Sequence, residues 1–195
     1  MDQKVKKAYD RVQFDDIEEL AKLVPSEVHP DASSFSPTSH LHSLLQVAAA
    51  HGAEKCAEYL LSCGANPSKK NFTGFTPLHW AAYSGRTEIV KMLIDRGAKI
   101  DSRNEDGHTP LHIAASRGHL QFIKYIVELG ADPGAVTSDG WTAMHFAVIS
   151  NHQPVVKYLL AQNIDFRGPD VNMKTIDSLV EEYGRTWFDS LVNTE

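Results

Sequence analysis

The sequence is poor in cysteine and has no long apolar run. Its two cysteines, Cys56 and Cys63, lie seven residues apart in one predicted helix, where a rise of about 1.5 Å per residue separates their Cα atoms by roughly 10 Å, beyond disulfide reach. Two free thiols are typical of a reducing compartment. No window approaches the roughly 18 apolar residues of a membrane span, and the N-terminus lacks the apolar centre of a signal peptide. We therefore expect a cytoplasmic or nuclear chain without membrane insertion.

Basic stripes and catalytic motifs are missing as well. The 25 acidic residues outnumber the 19 lysines and arginines, which gives a net charge of −6, and the basic residues form no stripe of the kind that binds nucleic acid. The chain has no nucleophile elbow, no P-loop and no dinucleotide-binding glycine motif. Its ten histidines do not have the spacing of zinc ligands. We therefore predict that the protein is not an enzyme, does not bind nucleic acid, and uses no cofactor or metal.

The sequence does contain one pattern that recurs every 33 residues. The strings TPLHWAAYSG from Thr76, TPLHIAASRG from Thr109 and TAMHFAVISN from Thr142 share a frame that extends back to Ser43 and forward to Thr175. Each string begins with a helix-capping residue, and in the first two a proline occupies the first helical position, where its missing N–H is harmless. In the same two strings a glycine ends the helix. The pattern predicts pairs of short helices joined by tight turns.

These units resemble ankyrin repeats, whose 33-residue signature has a T-P-L-H-x-A core. Two units carry the complete TPLH text and a third carries TAMH, and the match covers residues 38–169, with weaker units on both sides. The resemblance implies an all-α solenoid of stacked helix-turn-helix units with short β-hairpin loops. We expect a single domain over 1–195, divided into an N-terminal capping repeat with an extended loop (1–37), four repeats (38–70, 71–103, 104–136 and 137–169) and a C-terminal capping repeat (170–195).

Both terminal units keep part of the apolar pattern and replace the rest with charged residues, as the polar outer face of a solenoid's ends requires. Residues 25–39 are rich in proline, serine and aspartate and predict an elongated loop, a kind of segment that often carries function. The apolar positions that remain are Ala8, Val12, Ile17, Leu20, Leu23 and Val24 at one end and Trp187, Phe188, Leu191 and Val192 at the other.

Three histidines, His79, His112 and His145, recur at the same place in successive units. By resemblance to the family, this side chain ties the hairpin to the helix through hydrogen bonds, an interpretation we favour over a metal site. His40 and His42 stand in a loop, and without carboxylate or thiolate neighbours they are a weak set of metal ligands.

In such a stack the hairpin tips and the exposed ends of the first helices form one concave face. Large aromatic residues on an exposed face are typical of binding hot spots, although any one of them can instead fold onto the neighbouring repeat. Trp80 is predicted to be core, because Ile113 and Phe146 take its place in the next units. We expect partner contacts from Phe72, Phe75, Tyr83, Glu105, Asp106, His108, Arg117, Asp139, Trp141 and Ile149.

The resemblance implies a protein–protein interaction module: an adaptor, inhibitor or assembly factor that binds one or more proteins on its concave face. Because aromatic and acidic residues alternate there, we expect the partner to use a basic or amphipathic segment, and we expect the chain itself to be monomeric. The alternative is a regulatory ankyrin domain of a longer enzyme or channel.

Overall fold

The computed structural model describes residues 3–33, 42–162, 170 and 174–192. Within these residues lie twelve short α-helices, and each predicted unit contains one consecutive pair of them. The predicted division into units is compatible with this order. The helices are α1 (Gln3–Gln13), α2 (Ile17–Leu23), α3 (Leu44–His51), α4 (Glu54–Ser62), α5 (Pro77–Ser84), α6 (Glu88–Asp95), α7 (Pro110–Arg117), α8 (Leu120–Glu128), α9 (Ala143–Ile149), α10 (Gln153–Leu160), α11 (Ile176–Glu182) and α12 (Phe188–Val192).

The helices form two layers. The first helices of the pairs pack side by side in the order α1, α3, α5, α7, α9 and α11, and make the inner layer. In the outer layer α2 packs on α4, α4 on α6, and α8 on α10. Each unit therefore contacts mainly its neighbours, and the predicted all-α solenoid is confirmed.

Each inner helix begins and ends where the repeated text predicts. For α5, Thr76 has extended backbone and caps the helix, Pro77 follows at the first position, and the Thr76 N–H donates to His79 Nδ1 at 3.2 Å. Gly85 ends the helix with φ +69°, a conformation that L side chains rarely adopt, and a Cβ there would lie 2.9 Å from the ring of His119. Capping and termination are thus local properties of the repeat.

A continuous apolar core fills the space between the layers. In the third unit Ile89, Val90 and Leu93 are fully buried and form the stripe of α6, while Ala81 and Ala82 are buried on α5. The alanines allow neighbouring inner helices to approach closely, and each large buried side chain stabilises the fold by about 1.5–3 kcal/mol. Among the predicted packing residues of the terminal units, Val12, Leu20 and Phe188 are buried. The half-buried ones are Ile17, Trp187, Leu191 and Val192.

The predicted β-hairpins prove to be tight turns without paired strands. Among the described residues the one β-pairing is an isolated bridge between Ser33 and Ser43. In the turn at 71–75, the Asn71 N–H donates to Phe75 O at 2.9 Å and the Gly74 N–H donates to Asn71 O at 3.0 Å. A longer ladder cannot form, because the next residue already caps a helix. Of the loop predicted at 25–39, residues 34–39 lie outside the described residues, as does His40.

Both cysteines are free, as predicted. Cys56 is buried on α4, where its backbone N–H donates to Asp15 Oδ1 at 2.9 Å, and burial raises the pKa of its thiol to about 12. Cys63 is half-buried at the end of the same helix. The protonated Cys56 thiol acts as a small apolar side chain of the core.

Candidate partner-binding groove

Two of the recurring histidines hold the hairpin of the following unit in place. His79 Nδ1 accepts from the Thr76 N–H, so its ring proton lies on Nε2, which donates to His108 O in the next hairpin at 3.0 Å. His112 repeats the arrangement and reaches Trp141 O, also at 3.0 Å. The predicted link between helix and hairpin is confirmed for these two histidines. The hairpin backbone of one unit is thereby fixed to the inner helix of the unit before it.

In the second unit a glutamine, Gln46, holds the following hairpin through equivalent hydrogen bonds. Gln46 Oε1 accepts from the Ser43 N–H at 2.8 Å, and Gln46 Nε2 donates to Lys69 O and Phe75 O, both at 2.8 Å. A neutral side chain with one acceptor and one donor is sufficient at this position.

The histidines at this position are neutral near pH 7. Burial lowers the pKa of His79 and of His112 to about 4, and it also lowers the pKa of His145. Across the described part of the chain, no three His, Cys, Asp or Glu side chains are placed to hold a metal ion. The arrangement therefore gives these residues a hydrogen-bonding role.

A second set of bonds fixes the opposite edge of the concave face. His119 Nε2 lies 3.0 Å from Tyr83 O, and His152 Nε2 lies 3.1 Å from Ser116 O. The carboxyl ends of α5 and α7 are each held by the unit that follows. The backbone on both edges of the concave face is therefore held by hydrogen bonds, and this fixes the positions from which the side chains between the two edges project.

Between these two edges lies a groove of about 440 Å³, which we call the central groove. It is bounded by the hairpins at 71–75 and 104–108 and by the carboxyl-terminal halves of α5 and α7. Its lining residues are Thr73, Phe75, Trp80, Tyr83, Asp106, Ile113, Ser116 and Arg117.

Three aromatic rings follow one another along the wall of the central groove. The ring centroids of Phe75 and Trp80 are 5.6 Å apart, and those of Trp80 and Tyr83 are also 5.6 Å apart. Arg117 lies over the Tyr83 ring, with its Cζ atom 4.1 Å from the centroid. Aromatic pairs of this kind contribute about 0.5–1.5 kcal/mol each, and a cation over a ring adds a similar amount. The rings of the wall pack on one another, and Tyr83 keeps 40% of its surface exposed.

The prediction that Trp80 belongs to the core is wrong. The side chain is half-buried and lines the central groove, and its ring also meets that of His42 at 4.5 Å. On α5 the core is filled by the small Ala81 and Ala82, so the preceding position lies at the border between core and concave face. The sequence does contain an indication that Trp80 lines a groove, because the residue at this repeat position changes from the small Val47 to the large Trp80 in successive units.

The structure brings four of the ten predicted contact residues together in the central groove: Phe75, Tyr83, Asp106 and Arg117. Two more, Glu105 and Asp139, are exposed on the tips of neighbouring hairpins. Phe72 is 79% exposed at a hairpin tip and does not belong to the groove lining.

The other three predicted residues are tied into the structure farther along the stack. The Trp141 Nε1–H donates to Asp170 Oδ2 at 2.6 Å, and Ile149 is half-buried with its carbonyl accepting from Arg185 Nη2 at 2.6 Å. His108 is half-buried against the ring of Phe146, with a centroid distance of 5.1 Å. For Trp141 and His108 these side-chain contacts favour the alternative interpretation, in which such residues fold onto the neighbouring repeat. The Ile149 bond involves its backbone carbonyl.

The hairpin tips beside the groove carry negative charge. The segments 71–75, 104–108 and 137–141 contain Glu105, Asp106 and Asp139 and no lysine or arginine. Among the described residues these three carboxylates form no ion pair. Burial lowers the pKa of His108 even though Asp106 and Asp139 act in the opposite direction. The groove therefore has an aromatic wall and an acidic rim.

A smaller cavity of about 250 Å³, which we call the N-terminal pocket, was not predicted. Val47 and Ala50 occupy the places that Trp80 and Tyr83 take in the next unit, and these smaller side chains leave space on the concave face. The Tyr9 hydroxyl closes one side by donating to His42 O. The lining residues are Tyr9, Gln13, His42, Gln46, Val47, Ala50, His51 and Trp80.

Comparison with known proteins identifies the repeated unit. The family model described as "Ankyrin repeats (3 copies)" matches residues 12–104 and again residues 97–175, which together make up most of the chain. No curated protein gives a significant match. In the described residues, no helix has the length and apolar character needed to cross a membrane.

Proposed function

The chain belongs to the ankyrin-repeat family, and we propose that it is an adaptor, inhibitor or assembly factor that holds a partner protein in the central groove. Ankyrin repeats are generally protein–protein interaction modules and typically have no catalytic activity. The contact residues we assign to the partner are Phe75, Trp80, Tyr83 and Arg117.

One observation supports this proposal: the rings of the aromatic wall are packed on one another and still partly exposed. Tyr83 packs on Trp80 and lies under Arg117, yet 40% of its surface is accessible. A ring that is already held in place loses little conformational freedom when a partner covers it, so its contact area contributes efficiently to binding. Trp, Tyr and Arg are also the residues most enriched at binding hot spots.

The test is a quantitative capture of proteins from native lysate with three baits: the unchanged chain, the double variant Tyr83→Ala/Arg117→Ala, and Lys124→Ala. Lys124 provides a matched control, because it approaches the Tyr158 ring at 5.9 Å on the outer layer. We expect proteins that are retained by the unchanged chain and by Lys124→Ala but lost with the groove variant. If all three baits retain the same proteins in the same amounts, the groove is not the binding site.

We further propose that the protein acts as a monomer in the cytosol or nucleus. The two free cysteines support a reducing compartment. Light scattering of the purified chain and imaging of a fluorescent fusion test the two parts of this proposal separately.

A further inference from the structure

The central groove and the N-terminal pocket are neighbours on the concave face, and Trp80 lines both of them. We infer that the partner presents an extended segment with one apolar side chain in each cavity and a lysine or arginine beside the acidic hairpin tips. This inference rests on the proposed function and adds the chemistry of the partner to it.

The two cavities are suited to apolar side chains. The apolar residues that line the N-terminal pocket include Val47, Ala50 and Trp80. Those that line the central groove include Phe75, Tyr83 and Ile113. Their volumes are about 250 Å³ and 440 Å³, and an engineered apolar cavity of about 150 Å³ is known to accommodate benzene. Each cavity can therefore receive one aliphatic or aromatic side chain.

The arrangement of the inner helices sets the spacing of these two side chains. The N-terminal pocket lies over α3, and the central groove lies between α5 and α7. Packed helices are separated by about 8–10 Å, whereas an extended peptide rises about 3.3 Å per residue and places every second side chain on the same face. The two cavities are then about 12–15 Å apart, so an extended segment reaches both of them with apolar residues about four positions apart.

The acidic rim determines the charge of the segment. Asp106 lines the central groove itself, and Glu105 and Asp139 are exposed on the adjacent tips. None of the three forms an ion pair within the described part of the chain. Of the cations near this rim, Arg117 lies over the Tyr83 ring, and Arg103 Nη1 donates to Gly107 O in the hairpin at 104–108. A basic side chain in the partner is complementary to this rim, whereas the phosphates of a nucleic acid would be repelled by it.

The experiment is a selection of random peptides of about ten residues, long enough when extended to span both cavities, displayed on phage and selected on the full chain. We expect the enriched peptides to share two apolar residues about four positions apart and at least one lysine or arginine. Enriched peptides without this pattern, or a selection in which no enriched peptide depends on Trp80, would overturn the inference.

Two variants connect the selected peptides to the cavities. Trp80→Ile removes the shared wall while keeping a side chain that the fold already accepts at the equivalent Ile113, and we expect it to weaken binding at least about tenfold. Asp106→Asn/Asp139→Asn is expected to weaken binding about fivefold and to reduce its dependence on salt. Glu88→Gln, an exposed change on the outer layer, serves as the control and should leave the affinity unchanged.

The inference and the proposed function can fail separately. If lysate proteins depend on Tyr83 and Arg117 while the selected peptides lack a basic residue or bind Trp80→Ile normally, the groove binds a protein but the partner chemistry inferred here is wrong. If no lysate protein depends on the groove, the proposed function itself is contradicted.

Discussion

Two regions of the concave face have aromatic residues at the same repeat positions, but the rings line a groove in one region and pack against Phe146 in the other. Around Phe75, Trp80 and Tyr83 the rings form one wall of a groove. One unit farther along, His108 and Trp141 pack against Phe146, with centroid distances of 5.1 and 5.3 Å. The position in the repeat determines where the Cα atom of a residue lies on the concave face. Its neighbours in the adjacent units determine whether the ring remains available to a partner.

Asp170 accounts for much of this difference. It is buried and accepts a hydrogen bond from the Trp141 indole at 2.6 Å and from the Lys174 N–H at 2.8 Å. By contrast, the Trp80 Nε1–H is buried and has no hydrogen-bond partner among the described residues. We therefore assign Trp141 to stability and the rings of the central groove to binding, and the following predictions test that distinction.

The largest expected effect is a loss of stability in acid. Since burial places the folded pKa of His79 and His112 near 4, below the ordinary value of 6.5, the unfolded chain takes up more protons between these two values. The free energy of unfolding should therefore be undiminished above pH 6.5 and decrease as the pH falls to about 4, by up to about 3 kcal/mol for each histidine. Urea denaturation across this pH range measures the decrease.

The control for the acid prediction is already present in the chain, because Gln46 holds the hairpin at 71–75 without a titratable group. The variant His79→Gln/His112→Gln should lose most of the acid dependence. Hydrogen exchange near pH 5 should also show the histidine-held hairpin at 104–108 opening more readily than the one at 71–75. A double variant with an unchanged acid profile would show that other groups control the acid sensitivity.

The next largest effect separates Trp141 from Tyr83. Trp141→Ala removes a packed ring and its hydrogen bond to Asp170, so we expect the free energy of unfolding to fall by about 3 kcal/mol. Tyr83→Ala removes a ring that is 40% exposed together with its contacts to Trp80 and Arg117, and should lower it by about 1–2 kcal/mol. Equal losses measured by urea denaturation would contradict the distinction between the two regions.

A smaller effect is expected from Asp170→Asn. The amide keeps an acceptor of similar shape but loses the charge that strengthens the bond from the Trp141 indole, so the stability should fall by about 1 kcal/mol. Asp139→Asn is the matched control, because that carboxylate is exposed and forms no ion pair within the described residues. Thermal unfolding of the two variants compares them directly.

Much of the fold followed from local features of the sequence. Thr76, Pro77 and Gly85 predict the limits of α5 because capping and termination depend only on nearby residues. The role of His79 was likewise predicted through the family resemblance. The groove was harder to predict because it depends on contacts between units.

The features that sequence reasoning missed all depend on neighbours distant in the chain. Trp80 borders the N-terminal pocket because Val47 in the preceding unit is smaller and leaves space there, and it borders the central groove together with Ile113 of the following unit. Trp141 is held by Asp170, which lies 29 residues away in the next unit. The 33-residue frame shows which positions are equivalent, but it does not show how side chains of unequal size pack between adjacent units.

The most direct test of the central claim compares Tyr83→Ala and Trp141→Ala in one experiment that records both the free energy of unfolding and the retention of lysate proteins. We predict that Tyr83→Ala loses partners with a smaller loss of stability than Trp141→Ala, and that Trp141→Ala loses more stability while its folded fraction retains the same partners. The opposite pattern, with partners lost through Trp141 and kept after the change at Tyr83, would contradict the assignment of binding to the central groove.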